Sequence, residues 1–519
     1  MNRAATARKA SARPAETPLE QVAGFIQFFI WLLIIKTFFL PLFIIPTGSM
    51  AETLCGEHAR HSCPNCGFSY DVGFDPVGPQ SNGVPGVVQC PNCRFVQRNV
   101  SPGAPSVPLG PGMKDVPTSL AAAAGDRIVV HGWMYDCPLD FAGWFKPRRW
   151  DVVVFRNPRE PQVNFIKRLI GLPNEQLEII DGDIFIDGRI VRKPEYVQHE
   201  LWFSAYDQNF RPQVQAMRDY APRWVLVGDE SGKPLLTRDL AVPADAAAPV
   251  RLRFCTTPNS TEPARAQDFY GYNSPLRGGP QHVVSDVRVS CDVEMARAGA
   301  VELSTTKFGD EFFARLAGDG VVTLEYRPAG ASERIGWGRA DVGANGKSRR
   351  FALSYADHFV RVELDDALVL PSPDDYRTTP EQARARSEQR APARVEIAAE
   401  RLDGRVYNLL VERDVYYTSN IPRDDGATAN GVQGHPFDIG PSAYFVMGDN
   451  SPNSRDSRFW SECGPHLQQA LERGTYRLGT VPADQMMGRA FFVYWAGARF
   501  LTRGSVDPRP DVGAIRWIR

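Results

Sequence analysis

Neither sign of charge prevails in this sequence: 59 Lys and Arg face 60 Asp and Glu across 519 residues, a net charge of −1. A chain so balanced offers no sequence-wide electrostatic case for binding nucleic acid. Nine cysteines are too few for a disulfide-dense scaffold. Eight histidines sit in no catalytic-looking context, so no histidine triad is legible. Low overall hydropathy excludes a polytopic membrane protein but leaves room for one anchor. No unit of about 20–50 residues repeats, which excludes a repeat architecture. What is present is ordinary globular material, 43 % hydrophobic and 23 % charged, so wholesale disorder is excluded. At roughly 150 residues per domain the length predicts about three domains, each large enough to bury its own core.

The one long apolar stretch lies near the N-terminus. Residues 1–20 are polar and carry Arg3, Arg8, Lys9 and Arg13. Val22–Ile35 is an unbroken run of apolar residues, Gly and one Gln; Lys36 and Thr37 interrupt it, and Phe38–Ile45 resumes it. From Val22 to about Leu40 it is long enough to cross a bilayer core as a helix. Lys36 then sits near one end, where its ammonium reaches the headgroups. The apolar part is too long for a cleaved signal peptide, and no small-residue cleavage site follows it. A buried core helix would show a wider polar face. The expected assignment is a cytoplasmic tail at 1–20 and a transmembrane helix at 21–45, ended by Pro41 and Pro46. Basic residues ahead of the helix predict the N-terminus inside and the bulk of the chain outside.

Residues 71–117 are rich in Gly and Pro and read as loop. From Asp126 the pattern turns to short β-branched segments: Arg127–Gly132, Asp151–Phe155, Asn164–Ile170, Gln176–Ile180 and Asp183–Ile186. Asp181-Gly182 and Asp187-Gly188 are hairpin signals between them. In the middle segment Trp202, Tyr206 and Trp224 are candidate core aromatics. Gly320–Tyr326 and Phe351–Leu370 alternate as strands, with a short turn at Asp365-Asp366. Residues 372–392 are charged and Pro-flanked and read as linker or solvated loop. Strand character resumes at Arg394–Ile397 and Val406–Val411 and returns at Ala443–Gly448 and Ala490–Trp495. The fold class expected is mainly β.

Three segments carry candidate chemistry. Ile45-Pro46-Thr47-Gly48-Ser49-Met50-Ala51-Glu52-Thr53-Leu54 follows the anchor directly, which puts a serine close to the membrane surface. Asn164–Pro173 holds Lys167 inside an otherwise apolar strand. If that side chain enters the core, desolvation disfavours the ammonium and leaves a usable general base. Phe445–Arg458 packs hydroxyls, two carboxylates and arginines into one turn after a strand. Taken singly, each has a bland reading: a loop serine, a solvent-facing edge lysine, a salt-bridged turn. A Ser–Lys hydrolase is one arrangement the residues allow.

In this order, after a transmembrane helix, the segments resemble the signature boxes of type I signal peptidases, membrane-bound serine proteases with a Ser–Lys dyad. Pro46–Met50 matches the family's Pro-Ser/Thr-Gly-Ser-Met box, with Glu52 where the family has Pro. Gly125-Asp126-Arg127, Asp151–Phe155, Lys167–Pro173 and Gly448–Arg458 match the later boxes in order, and Gly488–Trp495 resembles a late strand. The resemblance implies Ser49 as nucleophile and Lys167 as general base. It implies Ser454 as the residue that hydrogen-bonds and orients Lys167. Thr47 and the Ser49 backbone N–H would form the oxyanion hole. Asp456 and Arg458 would form a supporting ion pair, and Gly448 and Asp449 would shape the turn. Ile45, Pro46 and Met50 would line shallow substrate pockets. The implied activity is serine endopeptidase: removal of signal peptides from secretory preproteins at the outer face of a bacterial inner membrane. The implied partners are those signal peptides, added as an extended strand, and the lipid bilayer, with no nucleic acid.

On this reading the catalytic domain comes in three pieces, 46–54, 125–194 and 416–519, split by insertions at 55–124 and 195–415. The first insertion contains Cys63-Pro64-Asn65-Cys66 and Cys90-Pro91-Asn92-Cys93, two knuckles spaced for a four-cysteine zinc ribbon. Two disulfides are the alternative, and Cys55, His58 and His61 are close enough in sequence to substitute as ligands. Zinc here would be structural; no cofactor is expected for catalysis. The second insertion is expected to be β-rich, and its 300–370 part weakly resembles a concanavalin-like sandwich. Within it Cys255 and Cys291 are a candidate pair, while Cys137 and Cys463 are expected buried or free. The competing functional reading is a catalytically silent, membrane-anchored binding protein. A self-cleaving repressor shares the chemistry but needs a DNA-binding motif where the anchor stands.

Overall fold

The computed structural model describes residues 17–73, 87–98, 122–135, 145–212, 223–227, 233–246, 248–255, 266–273, 282–344, 348–388, 393–419, 422–423, 425–496, 500–502, 505–506 and 515–518. It is mainly β, with one long apolar helix at the N-terminus. That helix, Pro18–Ile34, begins at a capping box: the Thr17 hydroxyl accepts the Glu20 N–H at 3.3 Å, and the Glu20 carboxylate accepts the Thr17 N–H at 2.7 Å. A wider turn extends it to Phe39, and none of its residues is buried. It is long and apolar enough to cross a membrane.

The helix stops short of the expected 21–45 span. Leu42–Ile44 is a strand paired antiparallel with Arg127–His131. Pro41 has no N–H to continue the helix, and its carbonyl instead accepts the Val130 N–H at 3.0 Å. The segment after the helix is therefore tied into a sheet at once. That sheet runs, strand by strand, Leu42–Ile44, Arg127–His131, Met486–Trp495, Val152–Arg156, Asn164–Gly171, Ala443–Met447 and Val481–Pro482, with Arg516–Trp517 also paired to Met486–Trp495. Residues from both ends of the sequence thus lie side by side. A second sheet of four strands holds Arg189–Ile190, Asp183–Ile186, Gln176–Ile180 and Phe437–Asp438. Its hairpins turn at Asp181-Gly182 (φ 51° and 87°) and Asp187-Gly188 (φ 49° and 73°), the left-handed pairs that suit the strand twist.

Between residues 203 and 413 the chain builds two seven-stranded antiparallel sheets. Their inner faces share one large core that includes Tyr206, Trp224, Phe254, Phe312, Leu353 and Ile397. This insert is sandwich-like. Trp224 and Tyr206 are fully buried as expected, whereas Trp202 is only half-buried. Asp365 and Asp366 turn the hairpin at φ 52° and 62°.

Three expectations are corrected. Residues 372–392 are not simply a solvated linker: Pro380–Ser387 is a helix. Thr379-Pro380-Glu381-Gln382 supplies a capping box with Pro in the first turn, and Arg384 pairs with Glu178 at 2.6 Å. Residues 71–117 are not all loop, because Ser69–Gly73, Val87–Gln89 and Val96–Arg98 form short strands beside the cysteine knuckles. Cys255 and Cys291 do not pair; both are buried free thiols, Cys255 just past the strand Val250–Phe254 of one sheet and Cys291 within the strand Val287–Glu294 of the other. Cys463 is free and half-buried, and Cys137 lies outside the described residues.

Candidate active site

Gly48–Met50 forms a single tight turn after the strand Leu42–Ile44. Ile45 and Met50 are buried on either side of it, in a core with Leu54, Ile128 and Val152. They fix the turn from below, while Pro46 and Thr47 are exposed and Ser49 is half-buried. Across the sheet, Asn164–Gly171 pairs with Val152–Arg156, and Val153 lies opposite Lys167. The flanking apolar residues draw that strand into the interior, so Lys167 is only 4 % exposed. Its Nζ donates to Ser49 Oγ at 2.6 Å and to the Ile166 carbonyl at 3.0 Å. Burial pushes the Lys167 ammonium down to about 8, against the opposing pull of the Asp456 and Asp449 carboxylates. A hydroxyl thus faces an amine that gives up its proton near neutral pH. Such a pair can activate the oxygen as a nucleophile.

The turn after Ala443–Met447 closes the other side. Gly448 is required by close approach: a Cβ there would overlap the Ser49 carbonyl and the Ser454 hydroxyl. The Asn450 N–H donates to the Ser49 carbonyl at 3.1 Å, and Asn450 Nδ2 donates to the Gly48 carbonyl at 2.8 Å. Two arginine–carboxylate forks hold this turn, all four side chains fully buried. Arg168 donates to Asp449 through Nε at 2.8 Å and a terminal nitrogen at 2.7 Å, and to the Trp150 carbonyl at 2.9 Å. Arg458 grips Asp456 at the same two distances, 2.8 and 2.7 Å, and also donates to the Thr418 carbonyl and the Ser451 hydroxyl. Burial would raise the Asp456 carboxyl, but the Arg458 charge and hydrogen bonds hold it below its ordinary range.

The structure brings Ser49, Lys167, Gly448 and Asp449 together, with the Asp456–Arg458 pair beside them. It does not form the expected bond from Ser454 to Lys167. Ser454 is 4 % exposed; its hydroxyl has no well-formed partner and lies near Asp456 instead. Lys167 has turned its hydrogen bonds to Ser49 and its own strand's carbonyl. The sequence reading missed Arg168 and Asn450, although both lie inside segments it singled out. A buried arginine beside a lysine was the available signal for the first. Nothing in the pattern pointed to Tyr270, Tyr272 and Asn273, which approach the same turn from the middle insert.

A second constellation is the cysteine cluster. Cys63, Cys66, Cys90 and Cys93 are all buried, with their sulfurs within 4.8 Å of one another. Cys63 Sγ lies 3.6 Å from Cys93 Sγ, and Cys66 Sγ lies 3.7 Å from Cys90 Sγ. These distances are far too long for disulfides. They suit a tetrahedron of thiolates about 2.3 Å from one central zinc ion. Cys55, His58 and His61 are outside the set.

Two stretches, 117–224 and 377–495, match the family model described as "Signal peptidase, peptidase S26". They contain Lys167 and the turn at 448–458 but not Ser49. Signal peptidase I of Rickettsia canadensis (strain McKiel) is 41 % identical over 58 residues, 11 % of this chain and 22 % of that protein. Signal peptidase I of Rickettsia typhi (strain Wilmington) is 44 % identical over 50 residues, 10 % of this chain and 19 % of that protein. The chain thus spans about a fifth of the length of the curated relatives it matches. Among solved structures, a carbohydrate binding module from Bacillus subtilis aligns at TM-score 0.22 and 12 % identity, over 37 % of this chain and 96 % of its own. A Bacillus licheniformis beta-glucanase aligns at TM-score 0.21 and 11 % identity, over 37 % and 92 %.

Proposed function

We propose, from the premise that the chain belongs to the signal peptidase family of peptidase S26, that it is a membrane-anchored serine endopeptidase removing signal peptides from secretory preproteins. The observation that carries this reading is the 2.6 Å hydrogen bond between Lys167 Nζ and Ser49 Oγ, made by a lysine whose burial lowers its basicity. Ser49 Oγ attacks the scissile carbonyl carbon while neutral Lys167 takes the hydroxyl proton. The Ser49 backbone N–H and the exposed Thr47 hydroxyl receive the developing oxyanion. Lys167 then hands its proton to the leaving amine, and water resolves the acyl-enzyme by the same route. Gly448, Asp449, Ser454, Asp456 and Arg458 support the turn that faces the dyad. Ile45, Pro46 and Met50 border the nucleophile and shape small pockets for the residues preceding the cut.

The apolar helix supports a single-pass anchor. With residues 1–20 cytoplasmic, the catalytic domain lies outside the bacterial inner membrane, where a bilayer-embedded signal peptide presents its extended end. The protease is then three pieces of chain, 46–54, 125–194 and 416–519, interrupted twice. The test is cleavage of a synthetic signal-peptide substrate by the detergent-solubilised full chain. Cleavage by the parent and none by Ser49→Ala is expected; equal cleavage by both would sink the assignment. A silent binding protein would require the dyad to be broken, and the 2.6 Å contact argues against it.

The four cysteines are proposed to hold one structural zinc ion, which would staple the small core of Ala59, Tyr70, Val72, Val88 and Phe95 around them. Metal analysis should return about one zinc per chain. Cys63→Ser together with Cys66→Ser should lose it and expose the ribbon to limited proteolysis. Retained zinc in that variant would refute the site.

A further inference from the structure

The segment Phe269–Asn273 belongs to the middle insert, yet its contacts converge on the turn that carries Ser49. The Tyr272 ring is wedged between Gly48 and Gly73, so closely that a Cβ on either glycine would overlap it. Tyr272 is 3 % exposed; its hydroxyl donates to the Glu57 carbonyl at 3.1 Å, and its carbonyl accepts the Gly73 N–H at 2.9 Å. The Tyr270 hydroxyl donates to the Asp449 carbonyl at 3.0 Å. Asn273 and Asn450 exchange two amide hydrogen bonds, each 2.8 Å, and Asn453 Nδ2 adds a third to Asn273 Oδ1 at 3.2 Å. Asn450 has two donors on its side chain; one goes to Asn273 and the other to the Gly48 carbonyl. Its backbone N–H takes the Ser49 carbonyl. Both peptide units flanking the Ser49 nitrogen and carbonyl are therefore held by a residue that Asn273 orients.

The segment is itself anchored from two sides. The Arg94 guanidinium, in the cysteine ribbon, sits 4.0 Å from the centre of the Phe269 ring. Arg413, in the sandwich, donates to the Phe269 carbonyl at 3.0 Å. Gly271 lies against Pro91 and Tyr70 of the ribbon. Ribbon, insert and serine turn thus form one packed unit.

We propose that Phe269–Asn273 is a positioning strap for the serine turn, in which Asn273 fixes Asn450 and thereby the placement of Ser49 against Lys167. Asn273 touches neither reacting atom; it acts through Asn450. The proposal rests on the signal-peptidase reading for its kinetic consequence, but its structural consequence is independent of activity. Asn273→Ala removes all three amide hydrogen bonds while leaving Tyr272 to hold the fold. In the detergent-solubilised full chain it is expected to lower kcat on a signal-peptide substrate by about ten- to a hundredfold, with KM changed by less than about twofold. Amide exchange of residues 46–54 should speed up by about tenfold, while exchange elsewhere stays as in the parent. Asn273→Asp keeps an acceptor for the two asparagine amides and loses the donor, so it should recover part of kcat. A kcat equal to the parent's, or unchanged exchange at 46–54, would overturn the strap. If the parent cleaves nothing, the protease reading fails by itself, and exchange alone then decides the strap.

Discussion

Lys167→Met is expected to lower kcat by at least about a thousandfold, because it removes the base that contacts the Ser49 hydroxyl while preserving the buried stem. Lys167 lies 2.6 Å from Ser49 Oγ, and no histidine takes part in that contact. The variant should remain folded, since an apolar tip in a site 4 % exposed removes a desolvated amine rather than leaving one unpaired. The pH profile of the parent supplies the complementary result. The active form has Lys167 neutral, so activity should rise with pH and level off above the lysine's own pKa. Burial pushes that pKa down to about 8. The acid limb of kcat/KM should therefore bend near 8 rather than near the roughly 10.4 of a free lysine. Comparison of single-turnover rates for parent and Lys167→Met, with the pH series on the parent, checks both. A limb near 10, or a Lys167→Met rate within tenfold of the parent, would remove Lys167 from the chemistry.

Asp449→Ala should cost the fold about 3–5 kcal/mol, enough to lower the unfolding temperature by on the order of 10 °C. The reason is what remains rather than what is lost. Arg168 is fully buried, and Asp449 is the carboxylate that balances its charge there through two hydrogen bonds. A buried guanidinium without its carboxylate is far more costly than an apolar pair of the same size. The double variant Arg168→Met with Asp449→Ala should accordingly be more stable than Asp449→Ala alone. Denaturant unfolding of the full chain in detergent, followed by tryptophan fluorescence, compares the three. Equal midpoints for Asp449→Ala and the parent would show that the fork does not hold the turn. The same substitution should also slow cleavage, because Asp449 precedes the asparagine that grips the serine turn.

Much of the site is readable in the chain itself, for a local reason. Ser49, Lys167 and the Gly448–Arg458 turn each sit in a short segment whose residue types serve one geometry: a tight turn, an inward-facing strand, a glycine under close contact. The Asp456–Arg458 fork is two residues long, so its pairing was implicit in the order of residues. The hairpins at Asp181-Gly182 and Asp365-Asp366 were legible because Asp and Gly tolerate left-handed backbone. The apolar helix and the paired cysteines are likewise local patterns, one of length and the other of spacing.

The misreadings share a cause as well. Ser454 was assigned to Lys167 by resemblance, but side-chain direction over a few ångströms depends on what packs around it. The charged stretch at 372–392 looked solvated because its helix is stabilised by a cap and by Arg384 reaching Glu178, a partner distant in sequence. The end of the apolar helix was placed too late because an apolar strand, Leu42–Ile44, continues the same run in a different conformation.

By itself, then, the sequence determined the chemistry available to this protein: an apolar helix, a serine, a lysine, the Asp456–Arg458 fork and four paired cysteines. Those follow from residue type and near-neighbour spacing. Only the tertiary structure decided how they meet. The 2.6 Å approach of Lys167 to Ser49 requires strands from distant parts of the chain in one sheet. The strap from Asn273 to Asn450 requires an insertion to fold back on the domain it interrupts. Such contacts carry no periodic signal, because neither partner's local conformation depends on the other until the chain has packed.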